Sequence, residues 1–437
     1  MKYASTRTTT QTATLSEAIL RGIAPDGGLY VPERFPDLYL SDFGTADSLV
    51  DIAQILLAPF CEEEQIAESL DQICRDAFDL PAPLVQLDDS NSVLELFHGP
   101  TAAFKDFGAR FLGGVLSALQ APSGRTLTVL AATSGDTGGA VAAALHDRPG
   151  LQVVVLYPEG RISPRQEKQI TCWGGNVRAL RVRGDFDDCQ RLAKQAFADS
   201  TLRDRLRLTS ANSINIGRLL PQMVAFAHAS LAHLRQHGEA PGFVIPTGNL
   251  GNAVACLWAQ EVGLPIREVV LATNANQVIN QYLETGQWEP LPDRPTLATA
   301  MDVGNPSNFE RLEKLCGSWS LVRRRVRAIS VDDDQIREQI RTGPVVWGQL
   351  WDPHTACAAA ALDQLEPRDW IMVATAHPAK FETTVEPLIG HPVEVPPTLA
   401  ALLDQEGHFE EIDATLEALR KKLLEQNPTH PTTNPTP

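Results

Sequence analysis

The sequence predicts an α/β protein built on open, mainly parallel sheets with helices on both faces. Three observations carry the prediction. Short strand patterns alternate with helical patterns from about Leu94 to Thr375. Those strands are apolar at nearly every residue, the mark of a sheet covered on both faces rather than half exposed to water. Glycine segments follow two of the strands directly, where open parallel sheets place their ligand loops.

Residues 1–90 read as a front section. Ala24 to Pro32 is a turn entering a short strand, helical patterns with acidic starts run from Ser48 to Phe60 and from Glu62 to Asp76, and Pro81 and Pro83 mark a break. The alternation then begins: strand Leu127 to Ala131, helix Thr137 to Leu145, strand Val153 to Tyr157, helix Pro164 to Cys172, strand Val177 to Val182, helix Phe186 to Phe197. A helix from Ile216 to Leu234 leads to strands around Val244, at Val269 to Thr273 and at Ile371 to Thr375. The expected division is 1–90, a smaller α/β domain over 91–215, a larger one over 216–405, and a C-terminal helix and tail over 406–437. Pro428 to Pro437, rich in proline and threonine, is expected to be disordered.

The 437 residues give ample core for two or three domains. A net charge of −17 argues against nucleic acid or an anionic membrane as the main partner. The seven cysteines form neither a Cys-x-x-Cys pair nor a metal-like cluster, and their odd number gives no disulfide framework. With no apolar signal core at the N-terminus, and no run near the ~18 apolar residues of a membrane span, the expected setting is a reducing cytoplasm.

Two segments carry chemistry. Lys105 lies between Phe104 and Phe107 at the start of a helical pattern. Aromatic neighbours that strip water from an ammonium lower its pKa, and the neutral amine condenses with aldehydes. A solvated surface lysine explains the same segment. The second is Thr247-Gly248-Asn249-Leu250-Gly251-Asn252, between a short strand and a helix start. That geometry offers backbone N–H groups and a positive helix end to a phosphate, although the segment lacks the signatures of triphosphate and dinucleotide loops. A ligand-free turn is its plain alternative. An imine-forming lysine and a separate phosphate cradle together suggest a phosphorylated aldehyde, of which pyridoxal 5'-phosphate is the obvious candidate.

With those residues in view, the chain resembles the threonine synthases, pyridoxal-phosphate enzymes of the tryptophan-synthase-β-like group. The likeness rests on Pro25-Asp26-Gly27-Gly28-Leu29-Tyr30, the Lys105 segment, Thr133-Ser134-Gly135-Asp136-Thr137-Gly138, Ser210 to Asn215, Met301 to Asn308 and Thr375 to Phe381, in the family's order. It implies fold type II of the pyridoxal-phosphate enzymes, two open, mainly parallel sheets flanked by helices with a mixed N-terminal section. It implies a Schiff base between the cofactor and Lys105, a phosphate site at Gly248, Asn249, Leu250, Gly251 and Asn252, and Thr375 facing the pyridine nitrogen. Family loops often end in Asp where this chain has Asn252. A hydroxyl at the pyridine nitrogen does not hold a pyridinium as a carboxylate does, which favours elimination over transamination.

The loop Thr133, Ser134, Asp136, Thr137 is expected to take the substrate carboxylate, with a plain helix N-cap as the alternative for Asp136. Arg161, Ser163 and Asn215 are candidates for the substrate phosphate, as are Lys168 and Arg218, although Ser163, Pro164 and Gln166 also form a capping box with proline at the first helical position. A threonine ending a buried strand, such as Thr375, also commonly caps the next turn. His98 and His377 are read as oriented hydrogen-bonding residues, with no metal expected. The implied reaction converts O-phospho-L-homoserine and water to L-threonine and phosphate by γ-elimination and β-addition, in a monomer or homodimer. A dehydratase on the same scaffold and a cofactor-free binder of a phosphorylated ligand stand as rivals.

Overall fold

The computed structural model describes residues 1–8, 10–121 and 124–425, so the proline-rich tail lies outside the described residues. The front section opens with a small antiparallel sheet of β1 (Tyr3–Ser5), β2 (Thr12–Ala13) and β3 (Tyr30–Pro32), ordered β2-β1-β3. The helix Leu49–Cys61 starts at Ser48, whose hydroxyl accepts the Asp51 N–H at 3.1 Å. The second helical stretch differs from expectation: a 3₁₀ turn at Gln65–Ser69 precedes the α-helix Leu70–Phe78.

The chain next lays down β4 (Leu84–Gln86) and β5 (Asn91–Glu95). It leaves their sheet for β6 (Leu127–Ala132), β7 (Leu151–Pro158), β8 (Val177–Arg183) and β9 (Arg207–Ser210). It returns as β10 (Gly242–Pro246), β11 (Glu268–Thr273), β12 (Val326–Ser330) and β13 (Trp370–Ala374), and ends with β14 (Glu410–Asp413). Two sheets result, one ordered β12-β11-β10-β13-β5-β4 and one ordered β14-β8-β7-β6-β9. Both are parallel except for the β4–β5 pair. Every residue of β6, β10 and β13 is buried, as continuous apolar strands between helix layers require.

Two strands cross the linear order. β5 belongs with β13 rather than with the 127–210 strands, and β14 lies beside β8 at the far edge of the other sheet. The 216–234 helix is interrupted: a turn at Ile216–Leu219 passes through the 3₁₀ segment Leu220–Gln222 before the helix Met223–His237. Pro221, with no N–H to donate, accounts for the break. Among the described residues, no helix is long and apolar enough to cross a membrane.

Candidate active site

Lys105 is the first residue of the helix Lys105–Gln120. The approach to it is pinned at both ends. Ala103 bridges Ala376 just past β13, and the Phe104 N–H donates to the Thr375 carbonyl at 2.9 Å. Buried Asp106 accepts from the Thr101 N–H at 2.9 Å and the Thr101 hydroxyl at 2.6 Å. Ala102 takes a left-handed conformation (φ 53°) inside this turn, a cost that the surrounding bonds offset. The Lys105 side chain is 17 % exposed, with Nζ 4.7 Å from the Phe104 ring centre and 3.7 Å from Asp136 Oδ2. Desolvation lowers its pKa, and Asp136 works against that shift. Phe107 does not share in this. Its ring stacks on Phe78 of the front section at 6.3 Å, so it anchors the helix instead.

Two loops of like build flank the lysine. One runs from β10 through Thr247–Leu250 into the helix Gly251–Glu261, with Leu250 left-handed (φ 59°). No acceptor among the described residues takes the N–H of Gly248, Asn249, Leu250, Gly251 or Asn252. Five free amides at a helix start suit a phosphate. Gly248 is needed there, because a Cβ would lie 2.6 Å from Met301 Cα. The Asn252 side chain is spent within the loop, accepting from the Thr247 hydroxyl at 2.7 Å and donating to the Pro246 carbonyl at 2.9 Å. Its backbone N–H remains for a ligand.

The other loop runs from β6 into the helix Asp136–Leu145. The buried Thr133 hydroxyl accepts from Gly135 N at 3.0 Å and Gly138 N at 2.8 Å, which leaves the amides of Ser134, Asp136 and Thr137 without an acceptor among the described residues. Gly135 sits at φ 128°, where a Cβ would meet Gln166 Nε2 at 2.5 Å. Asp136 is not the N-cap. That position belongs to Gly135, and the Asp136 carboxylate turns inward to Lys380 Nζ at 2.9 Å and Gln166 Nε2 at 2.9 Å. Burial opposes its ionisation, yet Lys380 and Lys105, with His354 and Gln166, hold its pKa below the usual carboxylate range.

Thr375 directly follows β13 with its hydroxyl free among the described residues, while its N–H donates to Thr355 Oγ1 at 3.3 Å. Thr355 and His354 both hang on buried Asp352, with His354 Nδ1 2.7 Å from Asp352 Oδ1. His354 Nε2 accepts the Ala300 N–H at 3.1 Å, which places the ring proton on Nδ1. Ala300 in turn abuts Gly248, so one network joins the Thr375 end of the site to the phosphate loop.

Other expected contacts resolve differently. Asn215 is fully buried, and its amide donates to Ile19 and Ser210 carbonyls at 3.0 and 2.8 Å and accepts Gly217 N at 2.9 Å. It has no donor left for a substrate phosphate. The Ser163 hydroxyl accepts the Gln166 N–H as a capping box and donates to the Lys380 carbonyl at 2.6 Å, so it too is committed. Arg161 is exposed at the entry to that helix. Buried Arg218 donates through Nη1 to the Ala211 carbonyl, and its Nε has no partner among the described residues. Burial lowers its pKa to about 10. His98 sits 2.7 Å from Glu95, and His377 caps the Ala379 N–H at 3.2 Å.

The sequence reading passed over three residues. Asn308 donates to the Asn249 carbonyl at 3.0 Å. Buried Arg311 satisfies the Ser213, Ile214 and Tyr30 carbonyls and Asn308, tying the front section to the underside of the phosphate loop. Lys380, 0 % exposed, joins Asp136 to the Thr101 carbonyl at 2.7 Å. Lys380 was legible only as part of the 375–381 segment.

An aldehyde-reactive amine, a row of free amides and an unengaged hydroxyl fit the aldehyde, phosphate and ring nitrogen of pyridoxal phosphate. Comparison with known proteins agrees. Residues 81–376 match the family described as pyridoxal-phosphate dependent enzyme, residues 2–78 the threonine synthase N terminus, and residues 355–422 the threonine synthase C-terminal family. The threonine synthase of Escherichia coli (strain K12) is 39 % identical over 97 % of this chain and 99 % of its own. That of Serratia marcescens is 38 % identical over 97 % and 99 %. The crystal structure of the pyridoxal-phosphate-bound threonine synthase from Brucella melitensis aligns with a TM-score of 0.90 at 34 % identity, covering 97 % of this chain and 98 % of that one. The chain belongs to the threonine synthase family of pyridoxal-phosphate-dependent enzymes.

Proposed function

We propose that this chain converts O-phospho-L-homoserine and water to L-threonine and inorganic phosphate at the cleft between the two parallel sheets, with Lys105 as the residue that binds the cofactor and moves the protons. The carrying observation is the desolvated Lys105 amine beside a backbone bonded to Thr375, whose strand lies next to the one that leads into the free amides of Gly248–Asn252. Pyridoxal phosphate, when bound, supplies the electron sink that makes the α and β protons of the substrate removable.

The residues divide the work. The Gly248–Asn252 amides hold the cofactor phosphate, and Thr375 faces the ring nitrogen. The free amides of Ser134, Asp136 and Thr137 receive the substrate carboxylate at the start of their helix. Once the substrate amine has taken its place, Lys105 takes the α proton as a base whose pKa burial has brought nearer to working pH. Loss of the γ-phosphate then follows removal of a β proton, a proton returns to the γ carbon to make the methyl group, water adds its hydroxyl at the β carbon, and a proton returns to the α carbon. The leaving phosphate calls for fixed cations. Arg161 and the unpartnered Nε of Arg218 are the candidates, with Lys168 on the helix that follows Arg161. The proposed setting is the cytoplasm, as monomer or homodimer, in keeping with seven free thiols.

Incubation of the purified protein with O-phospho-L-homoserine tests this. Threonine and phosphate should appear in equal amounts. Release of ammonia without threonine would instead make the chain a dehydratase.

A further inference from the structure

Lys380 has no part in the reaction as described, yet it is among the largest wholly buried side chains in the protein. It lies on the turn Pro378–Phe381, just after Thr375. Its Nζ reaches Asp136 Oδ1 at 2.9 Å, in the loop read as the substrate-carboxylate site, and the Thr101 carbonyl at 2.7 Å, four residues before Lys105. One amine thus joins three segments of the site. Its surroundings are fixed by further bonds. Gln169 Nε2 donates to the same Thr101 carbonyl at 2.9 Å, Gln166 Nε2 to the same Asp136 oxygen at 2.9 Å, and the Ser163 hydroxyl to the Lys380 carbonyl at 2.6 Å.

The other oxygen of Asp136 points at Lys105 Nζ, 3.7 Å away. A lone buried carboxylate at that range would favour the ammonium of Lys105 about tenfold to a thousandfold, against the needs of an amine that must condense and accept protons. The charged groups facing Lys105 are Asp136, Lys380, Arg218 and Asp352. Asp352 is engaged by His354 and Thr355, and Arg218 has Asp106 as its neighbouring carboxylate. Asp136 is therefore the carboxylate that sets the charge state of Lys105, and Lys380 is the cation in direct contact with it.

We propose that Lys380 is a positioning residue for the reaction: locked between Asp136 and the Thr101 carbonyl, it occupies the Asp136 carboxylate, so that this carboxylate does not claim Lys105 as its counter-ion. This rests on Lys105 being the cofactor-binding residue. Through Asp136, Lys380 also holds the first turn of the substrate loop against the turn that follows Thr375, so the charge of Lys105 and the shape of the carboxylate site are set by one contact.

The test is a pH titration of the near-visible absorption of the cofactor-loaded enzyme in four forms: wild type, Lys380→Met, Asp136→Asn and the double variant. Lys380→Met should raise the midpoint of the Lys105-linked band by about one pH unit or more. Asp136→Asn should lower it, and adding Lys380→Met to Asp136→Asn should move it much less than Lys380→Met moves the wild type, since the carboxylate that Lys380 occupies is then gone. Lys380→Arg should keep the wild-type midpoint. In parallel, kcat/KM of Lys380→Met should fall at least tenfold near neutrality and recover toward alkaline pH. If Lys380→Met does not fold, Lys380→Gln, which keeps a donor for Asp136 and removes the charge, decides the matter by the same titration. Midpoints that coincide with and without Lys380, with borohydride labelling still at Lys105, would overturn the role of Lys380 and leave the active-site reading intact. Labelling at another lysine would overturn both.

Discussion

The two loops beside Lys105 share one build and differ in what they carry. Each passes from a buried parallel strand through glycine into a helix, and each leaves several N–H groups free at the helix start. The Gly248 loop has no charged side chain in it. Asn252 closes it from within, and Ser213, Ala300, Met301 and Asn308 brace it from outside. The Thr133 loop carries Asp136, whose carboxylate reaches two lysines and a glutamine. Under the proposed assignment, a group that stays bound through every turnover has a neutral, rigid cradle, and a substrate that enters and leaves has a loop tied to the titrating centre.

The largest effect that sharpens this contrast is at the lysine both loops serve. Lys105→Ala should abolish both turnover and the near-visible absorption, read by spectrum and by threonine assay, with the fold retained by circular dichroism. Next come the two loop glycines, which should fail in different ways. Gly248→Ala drives a methyl into the Met301 backbone, an overpacking cost of about 1–3 kcal/mol, and should weaken cofactor retention first. Gly135→Ala strains a φ of 128° and displaces Gln166 from Asp136, and should raise KM while the absorption persists. Dialysis for cofactor loss and steady-state kinetics separate the two; like behaviour of the two variants would erase the contrast. A smaller loss follows from Thr375→Ala, which removes one hydrogen bond to the ring nitrogen and should weaken cofactor affinity by about 1 kcal/mol, or fivefold, with the melting temperature nearly unchanged.

The last effect concerns stability against pH and leaves both loops' contacts in place. Asp302, behind the Gly248 loop, has its pKa pushed up to about 6 by burial, although Thr296 and Asn274 donate to it. The folded state then holds a proton that the unfolded state releases above about pH 4. Asp302 therefore adds stability as pH falls from about 6 toward 4 and loses it as pH rises through that window. Half-buried His377 acts in the opposite direction: its pKa is lowered to about 4, chiefly by desolvation, so its contribution is lost as pH falls from about 6.5 to 4. Asp302→Asn should remove the first contribution and steepen acid destabilisation by about 1–2 kcal/mol between pH 6 and 4, seen in denaturant midpoints. Parallel pH curves for wild type and variant would refute the assignment.

Much of this was readable in advance, for physical reasons. β6, β7, β10 and β13 announced themselves because both faces are covered and every position is apolar or nearly so, and β8 because its buried Val177, Ala179, Leu180 and Val182 show through three arginines. β9 and β12 lie at sheet edges, where half-buried Arg207 and exposed Arg327 blur the pattern. The placement of β5 with β13 and of β14 with β8 follows from pairing between distant segments, which no local pattern encodes. Glycine and lysine positions marked the loops because those residue types are needed for backbone shape and for imine chemistry. Ser163 and Asn215 went to structural tasks because their side chains found carbonyls and amides that folding brought near. Arg311 and Lys380 were hidden for the same reason, since their meaning lies in partners 97 to 281 residues away.

The central claim is a covalent link between Lys105 and the cofactor. Borohydride reduction of the loaded enzyme, proteolysis and mass spectrometry read it directly. The account predicts a single pyridoxyl-phosphate adduct on the peptide containing Lys105. An adduct on Lys380 or any other lysine, or none, would contradict it.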